Sequence, residues 1–351
     1  MNTVVPARPL RPPAAPVPWA SARLHRPLIV VAFVMALGAV LCVVGLLVDE
    51  RQLLGQPLWL KPLKFCISIV FYAVTLAWMI GLAPARRRLL GALGNVVVLA
   101  LVLEMIAIGG AAALGTTSHF NVSSPAAAAA WSVMAASIVV VWLVTVVLAL
   151  VLFRAPLGDP ARSLAIRGGL VIGLVGMALA FLMTGPTAGQ LNDFRGIAGA
   201  HAVGVADGGA GLPFFGWSTE GGDLRVPHFI GMHVLQALPL LVIALEWGAR
   251  RLPLLRSTRV RLDLVRVATV GSAALVGVVL WQALRGQSIV APDALTLVVG
   301  GSVAAVLVAG VILVLLRGRR AAVVERRDVA PTAVGPGAAV PTGAVATGAD
   351  R

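Results

Sequence analysis

The chain is short of most things a soluble domain uses. Charged residues are 12% of the total, about half the ordinary share, aromatics are 5%, and there is one tyrosine. Lysine is nearly missing: Lys61 and Lys64 are the only two, and arginine fills every other basic position. The two cysteines, Cys42 and Cys66, form no metal-binding pattern. They read as free buried thiols, with a disulfide across the hairpin between them as the alternative. No Gly-x-Gly-x-x-Gly follows a strand, and there is no P-loop, no His-Glu-x-x-His, no Gly-x-Ser-x-Gly and no convincing internal repeat. These absences remove the nucleotide-binding, zinc-protease and serine-hydrolase classes.

Apolar residues take their place, at 59% of the chain with a mean hydropathy of +0.96. They fall into about eight runs: Leu28 to Val48, Leu63 to Leu82, Leu89 to Leu114, Ala126 to Phe153, Gly168 to Met183, His228 to Trp247, Leu264 to Leu284 and Ala294 to Leu316. Roughly 20 helical residues at ~1.5 Å each match a hydrocarbon core of ~30 Å. The expected fold is therefore all-α, a polytopic transmembrane bundle of about eight spans in a lipid bilayer. The first run is too long for the apolar core of a signal peptide and should remain as the first helix.

The net charge of +14 suggests nucleic acid until the charges are placed. With the N-terminus in the cytoplasm, 22 of the 28 basic residues fall in the inner segments, and the outer segments hold Arg51, Lys61, Lys64, Arg195, Arg225 and Arg285. This is the positive-inside asymmetry, so both termini are expected in the cytoplasm and no nucleic-acid partner is implied. Residues 1–26 and 318–351 read as disordered tails around a helical domain over 27–317, with a long outer loop at 185–227.

The remaining polar residues gather toward the outer side. Lys61 and Lys64 share a helix face. Both can snorkel to the interface beside Trp59 as an anchor, or Lys64 can turn inward to meet an anion. Glu104 lies about ten residues, or ~15 Å, inside the third span, where an ionised carboxylate must be paired or protonated. It reads either as a functional carboxylate with Lys64 as counter-charge, or as a structural hydrogen bond beside a close-packing face of Gly109, Gly110 and Ala111 to Ala113. His119 ends the third span at the interface, and Ser124 with Pro125 reads as N-cap and first residue of the fourth helix. His228 opens the sixth run. His233 is ~7.5 Å deeper, at the depth of Glu104, with Gln236 one turn beyond on the same face. His228 and His233 are five residues apart and cannot chelate one metal from one helix, so no metal site is assigned. The polar and ionic residues of the long loop, among them His201, Asp207, Asp223 and Arg225, read mostly as scaffolding.

The segments Trp59 to Phe65, Ser118 to Asn121 and His228 to Gln236 together resemble a group of uncharacterised bacterial integral membrane proteins. That resemblance implies a bacterial inner-membrane location and no activity. The residues leave three readings of function. The first is binding or transport of a small polar or ionic molecule, proton-coupled through Glu104, with Lys64, His233 and Gln236 lining the pocket. The second is a redox protein in which His119, His228 or His233 meets haem or quinone. The third is a non-catalytic scaffold. No cofactor is singled out among them.

Overall fold

The computed structural model describes residues 22–329. Eight helices in it are long and apolar enough to cross a membrane. They are α1 (Arg26–Val48), α2 (Leu60–Gly81), α3 (Arg87–Ala113), α4 (Pro125–Arg154), α5 (Pro160–Ala178), α7 (Arg225–Gly248), α8 (Thr258–Leu284) and α9 (Ala294–Val329), with the five-residue α6 (Ala188–Asn192) in the long loop. The chain is thus a multi-pass, all-α membrane protein. Its only sheet among the described residues is two hairpin-like pairs of two-residue strands, β1 (Gln52–Leu53) with β2 (Gln56–Pro57) and β3 (Ala202–Val203) with β4 (Gly222–Asp223).

The helices begin where the sequence supplies an oxygen for their first free amides. Ser124 Oγ accepts from Ala127 N ahead of Pro125, and Ser257 accepts from Val260 N. Asp159 accepts from the amides of Ala161 and Arg162 ahead of Pro160. This start lies eight residues before the apolar run beginning at Gly168, because the polar first turns of α5 are held by ion pairs instead of lipid. Arg162 meets Glu246 of α7 at 2.5 and 2.8 Å, and Arg261 of α8 meets Asp159 at 2.9 Å. At its other end α5 tightens into a 3-10 turn, Leu179–Met183.

Consecutive helices pack on one another, and the most extensive interface joins α5 to α7. Glycine makes this possible: Gly169, Gly173 and Gly176 form a smooth stripe, and a Cβ on Gly176 would collide with the backbone of Gly231 and Met232. The close-packing face expected at Gly109 and Gly110 is not one, since a Cβ at either would meet nothing within 4 Å. A glycine pair in sequence cannot report whether a partner helix lies opposite; α3 turns this pair away from its neighbours. Cys42 and Cys66 are both buried free thiols in hydrogen-bonding contact. α9 packs on α8 and leaves Leu297, Val298 and Val306 outward.

Of the two expected tails, residues 1–21 and 330–351 lie outside the described residues. Within the described part, helix begins at Arg26 and α9 runs on to Val329, past residue 317 where the apolar pattern ends. An α-helix needs backbone continuity and no apolar side chain, so a hydropathy boundary is not a helix boundary.

Candidate polar site at the loop end

Two features build the end of the bundle opposite the arginine-rich connections: the turn between α3 and α4, and the segment between α6 and α7. The turn is pinned by Asn121. Its amide nitrogen donates to Thr116 Oγ1 and Thr117 O, and its oxygen accepts from Ser123 N and Oγ. Backbone bonds from Val122 N to Gly196 O and from Ala198 N to Phe120 O then zip the turn to the long loop. Phe120 is held at φ 63, a left-handed conformation that non-glycine residues seldom adopt, with Gly199 close against its ring. The loop is therefore a built structure. A capping box of Thr187 and Gln190 starts α6, and Gln190 also bonds both backbone groups of Gly199.

This turn places His119 over Glu104. Glu104 is 1% exposed, and His119 Nε2 lies 3.8 Å from its Oε1. Neither carboxyl oxygen has a hydrogen-bond partner among the described residues. His119 Nδ1 is 3.1 Å from Ser118 Oγ, and Phe65, Phe120 and Trp131 surround the ring at centroid distances of 5.5, 6.0 and 5.5 Å. Burial, then the nearby Lys61 and His201, hold His119 well below the usual histidine range, so the ring is neutral at pH 7.

Lys61 is the charge that faces Glu104, and it also faces Asp207. It is partly buried and makes no hydrogen bond among the described residues. Lys64, expected to be the counter-charge, instead donates to the Phe215 carbonyl at 2.9 Å. The long loop descends on Lys64 and takes its ammonium, leaving Lys61, one turn nearer the helix start, for the bundle. Trp59, expected as an interfacial anchor, likewise finds a partner, its indole donating to Asp49 at 2.8 Å.

On the far side of Phe120 lies His201, 4.9 Å between ring centroids. His201 Nδ1 meets Asp207 Oδ2 at 2.7 Å, and Asp207 also accepts from the amides of His201 and Ala202. Burial opposes the Asp207 charge, yet the hydrogen bond and charge of His201 with the two amides outweigh it and hold its carboxyl well below the usual range. Asp223, 2% exposed, accepts from Ser218 N and is clasped by Arg225, which also donates to Gly216 O at 2.6 Å. Lys64 and Arg225 thereby grip the adjacent carbonyls of Phe215 and Gly216.

The remaining expected site residues form a separate group on α7. His228 Nδ1 bonds Gly176 O at 2.8 Å, across the close α5–α7 contact. His233 Nδ1 meets Gln236 Oε1 at 3.3 Å, and its ring lies between Phe229 and Phe71 at 4.4 and 6.5 Å. Glu104, His119 and Lys61 thus come together, while His233 and Gln236 face the α2–α7 crevice. His201 and Asp207 had no signal in sequence beyond their loop, because the β3–β4 pairing and the backbone bonds of the loop to Phe120, Val122 and Met183 bring them to the bundle. Among the described residues no three His, Cys, Asp or Glu side chains converge to hold a metal. Comparison of the chain with family models, with curated proteins and with solved structures finds no match in any of the three.

Proposed function

We propose that this is an inner-membrane protein of a bacterium, with both termini in the cytoplasm, that binds or transports a small polar or ionic molecule at its outward-facing loop end. Binding is coupled to a proton on Glu104. One observation carries this reading: a carboxyl group 1% exposed, with neither oxygen bonded among the described residues, beside a neutral imidazole and within the field of a lysine that makes no hydrogen bond among them. Purely structural buried carboxyls are normally saturated, because an unpartnered one costs about 1–3 kcal/mol or more. A group left open in this way suits taking up and releasing a proton. The histidines offer less support for haem or quinone ligation, since His119 is aimed at Glu104, His201 at Asp207, His228 at Gly176 and His233 at Gln236.

The test is a thermal-stability screen of the purified full chain against small anions, ammonium ions, zwitterions and neutral polyols between pH 5.5 and 8. At least one class should raise the unfolding midpoint in wild type and do so differently in Glu104→Gln. Responses identical in the two proteins, or none from any class, would overturn the reading. Cysteine labelling of intact cells checks orientation: a probe in residues 185–227 should react from outside, and one in either tail should not.

A further inference from the structure

Charge balance identifies what the site takes, given the proton-coupled reading above. The charged groups that face one another at the loop end are Lys61 and Lys64 of α2, Glu104 of α3, Asp207 and Asp223 of the loop, and Arg225 of α7. The histidines nearest them are His119, His201, His228 and His233. Three cations thus face three carboxylates. Most of them are occupied: Lys64 by the Phe215 carbonyl, Arg225 by Asp223, and Asp207 by His201 with two amides. Lys61 and Glu104 are left, opposite in charge, facing each other across α2 and α3, and too far apart to form a contact ion pair.

The two also differ in access. Both Glu104 oxygens are sealed from solvent, so they accept a proton and have no room for a larger ligand, whereas Lys61 is partly exposed. A proton arriving on Glu104 leaves three cations facing two carboxylates, and Lys61, which still faces Asp207 but has no bond of its own among the described residues, is where one negative charge restores the balance. A cation or a zwitterion cannot restore it. We infer that the ligand is a small monoanion, bound at the Lys61 ammonium and taken up together with one proton that resides on Glu104. The proton step is balanced through His119: once the ring closes the 3.8 Å gap to Glu104, it gives its Nε2 proton to Oε1 and receives another, drawn from solvent, on Nδ1 from the Ser118 side. It enters and leaves neutral.

Methanesulfonate and benzenesulfonate are suitable probes, because both stay anionic across the working range and cannot carry the proton themselves. With the purified full chain, affinity should fall about tenfold per pH unit once Glu104 is ionised in the unliganded protein, with one proton taken up per anion bound in weakly buffered solution. Glu104→Gln, a neutral mimic of the protonated acid, should bind the sulfonates with no pH dependence and no proton uptake. Lys61→Met should lose binding at every pH, and Lys61→Arg should retain it; if Lys61→Met does not fold, the wild-type stoichiometry and the Glu104→Gln slope decide alone. Sulfonate binding without proton uptake, an unchanged slope in Glu104→Gln, or no response to either sulfonate overturns the monoanion inference. Glu104-dependent binding of methylammonium or alanine would overturn it while leaving the polar-site reading standing. Indifference of wild type and Glu104→Gln to every probe class would remove both.

Discussion

The two ends of this bundle use the same kinds of side chain to opposite effect. At the arginine-rich end, Arg162 and Glu246 form a two-pronged pair between α5 and α7, and Arg261 closes on Asp159, itself the N-cap of α5. His25 Nδ1, Arg167 Nε and Arg261 Nε lack partners there, but each side chain is anchored through another atom. At the loop end Glu104 has no hydrogen bond through either oxygen. Saturated pairs fix helices; an unsaturated group leaves a choice of protonation state. The difference teaches that burial of a charge is a poor guide to function until its partners are counted.

The comparison can be broken most severely through the frame that both ends share. Gly176→Val should be the most damaging change, about 3 kcal/mol or more, because a side chain there strikes the α7 backbone and displaces His228. Membrane abundance and thermal midpoint should both collapse. Next comes Glu246→Ala at the saturated end, expected to cost roughly 2 kcal/mol by leaving Arg162 without this carboxylate, with solvent at the partly exposed pair moderating the loss. Its pH response should match wild type.

Glu104→Gln should do the reverse, changing stability by less than about 1 kcal/mol at neutral pH, since a group with no hydrogen bond among the described residues loses none. Equal destabilisation by Glu246→Ala and Glu104→Gln would erase the contrast between the ends. The Glu104→Gln background then tests His119. Burial keeps this imidazole unprotonated when folded, while the unfolded chain takes up the proton below about 6.5. Stability should therefore be fully present above that pH and be lost as pH falls below it, and adding His119→Gln should make the decline shallower, with buried His201 among the groups that supply the rest. The smallest effect belongs to Lys64→Ala, which frees the Phe215 carbonyl; limited proteolysis near Phe214 should quicken with the midpoint nearly unchanged.

The legibility of the chain follows the same division. Glu104 stood out because one acid in a long apolar run is visible without a partner. In sequence Lys64 fits the role of that partner because it lies one turn deeper than Lys61, which is a statement about one helix. The loop that claims Lys64 is about 150 residues away in sequence, and no local pattern encodes its descent. The same holds for glycine: Gly109 and Gly110 have no neighbour opposite, while Gly169, Gly173 and Gly176 line the most extensive helix interface, and nothing in their local pattern separates the two sets.

By itself the sequence determined the membrane class, the eight spans and several helix starts. All of these depend on transfer of side chains between water and hydrocarbon or on capping within a few residues, and both are local quantities. Tertiary structure alone decided which polar groups meet: His119 over Glu104, Lys61 facing both acids, His201 on Asp207, and His233 apart with Gln236. Hydrogen bonds and ion pairs act over a few ångströms, so a rotation of one helix or the fold of one loop is enough to change every partner while leaving the hydropathy of the chain untouched.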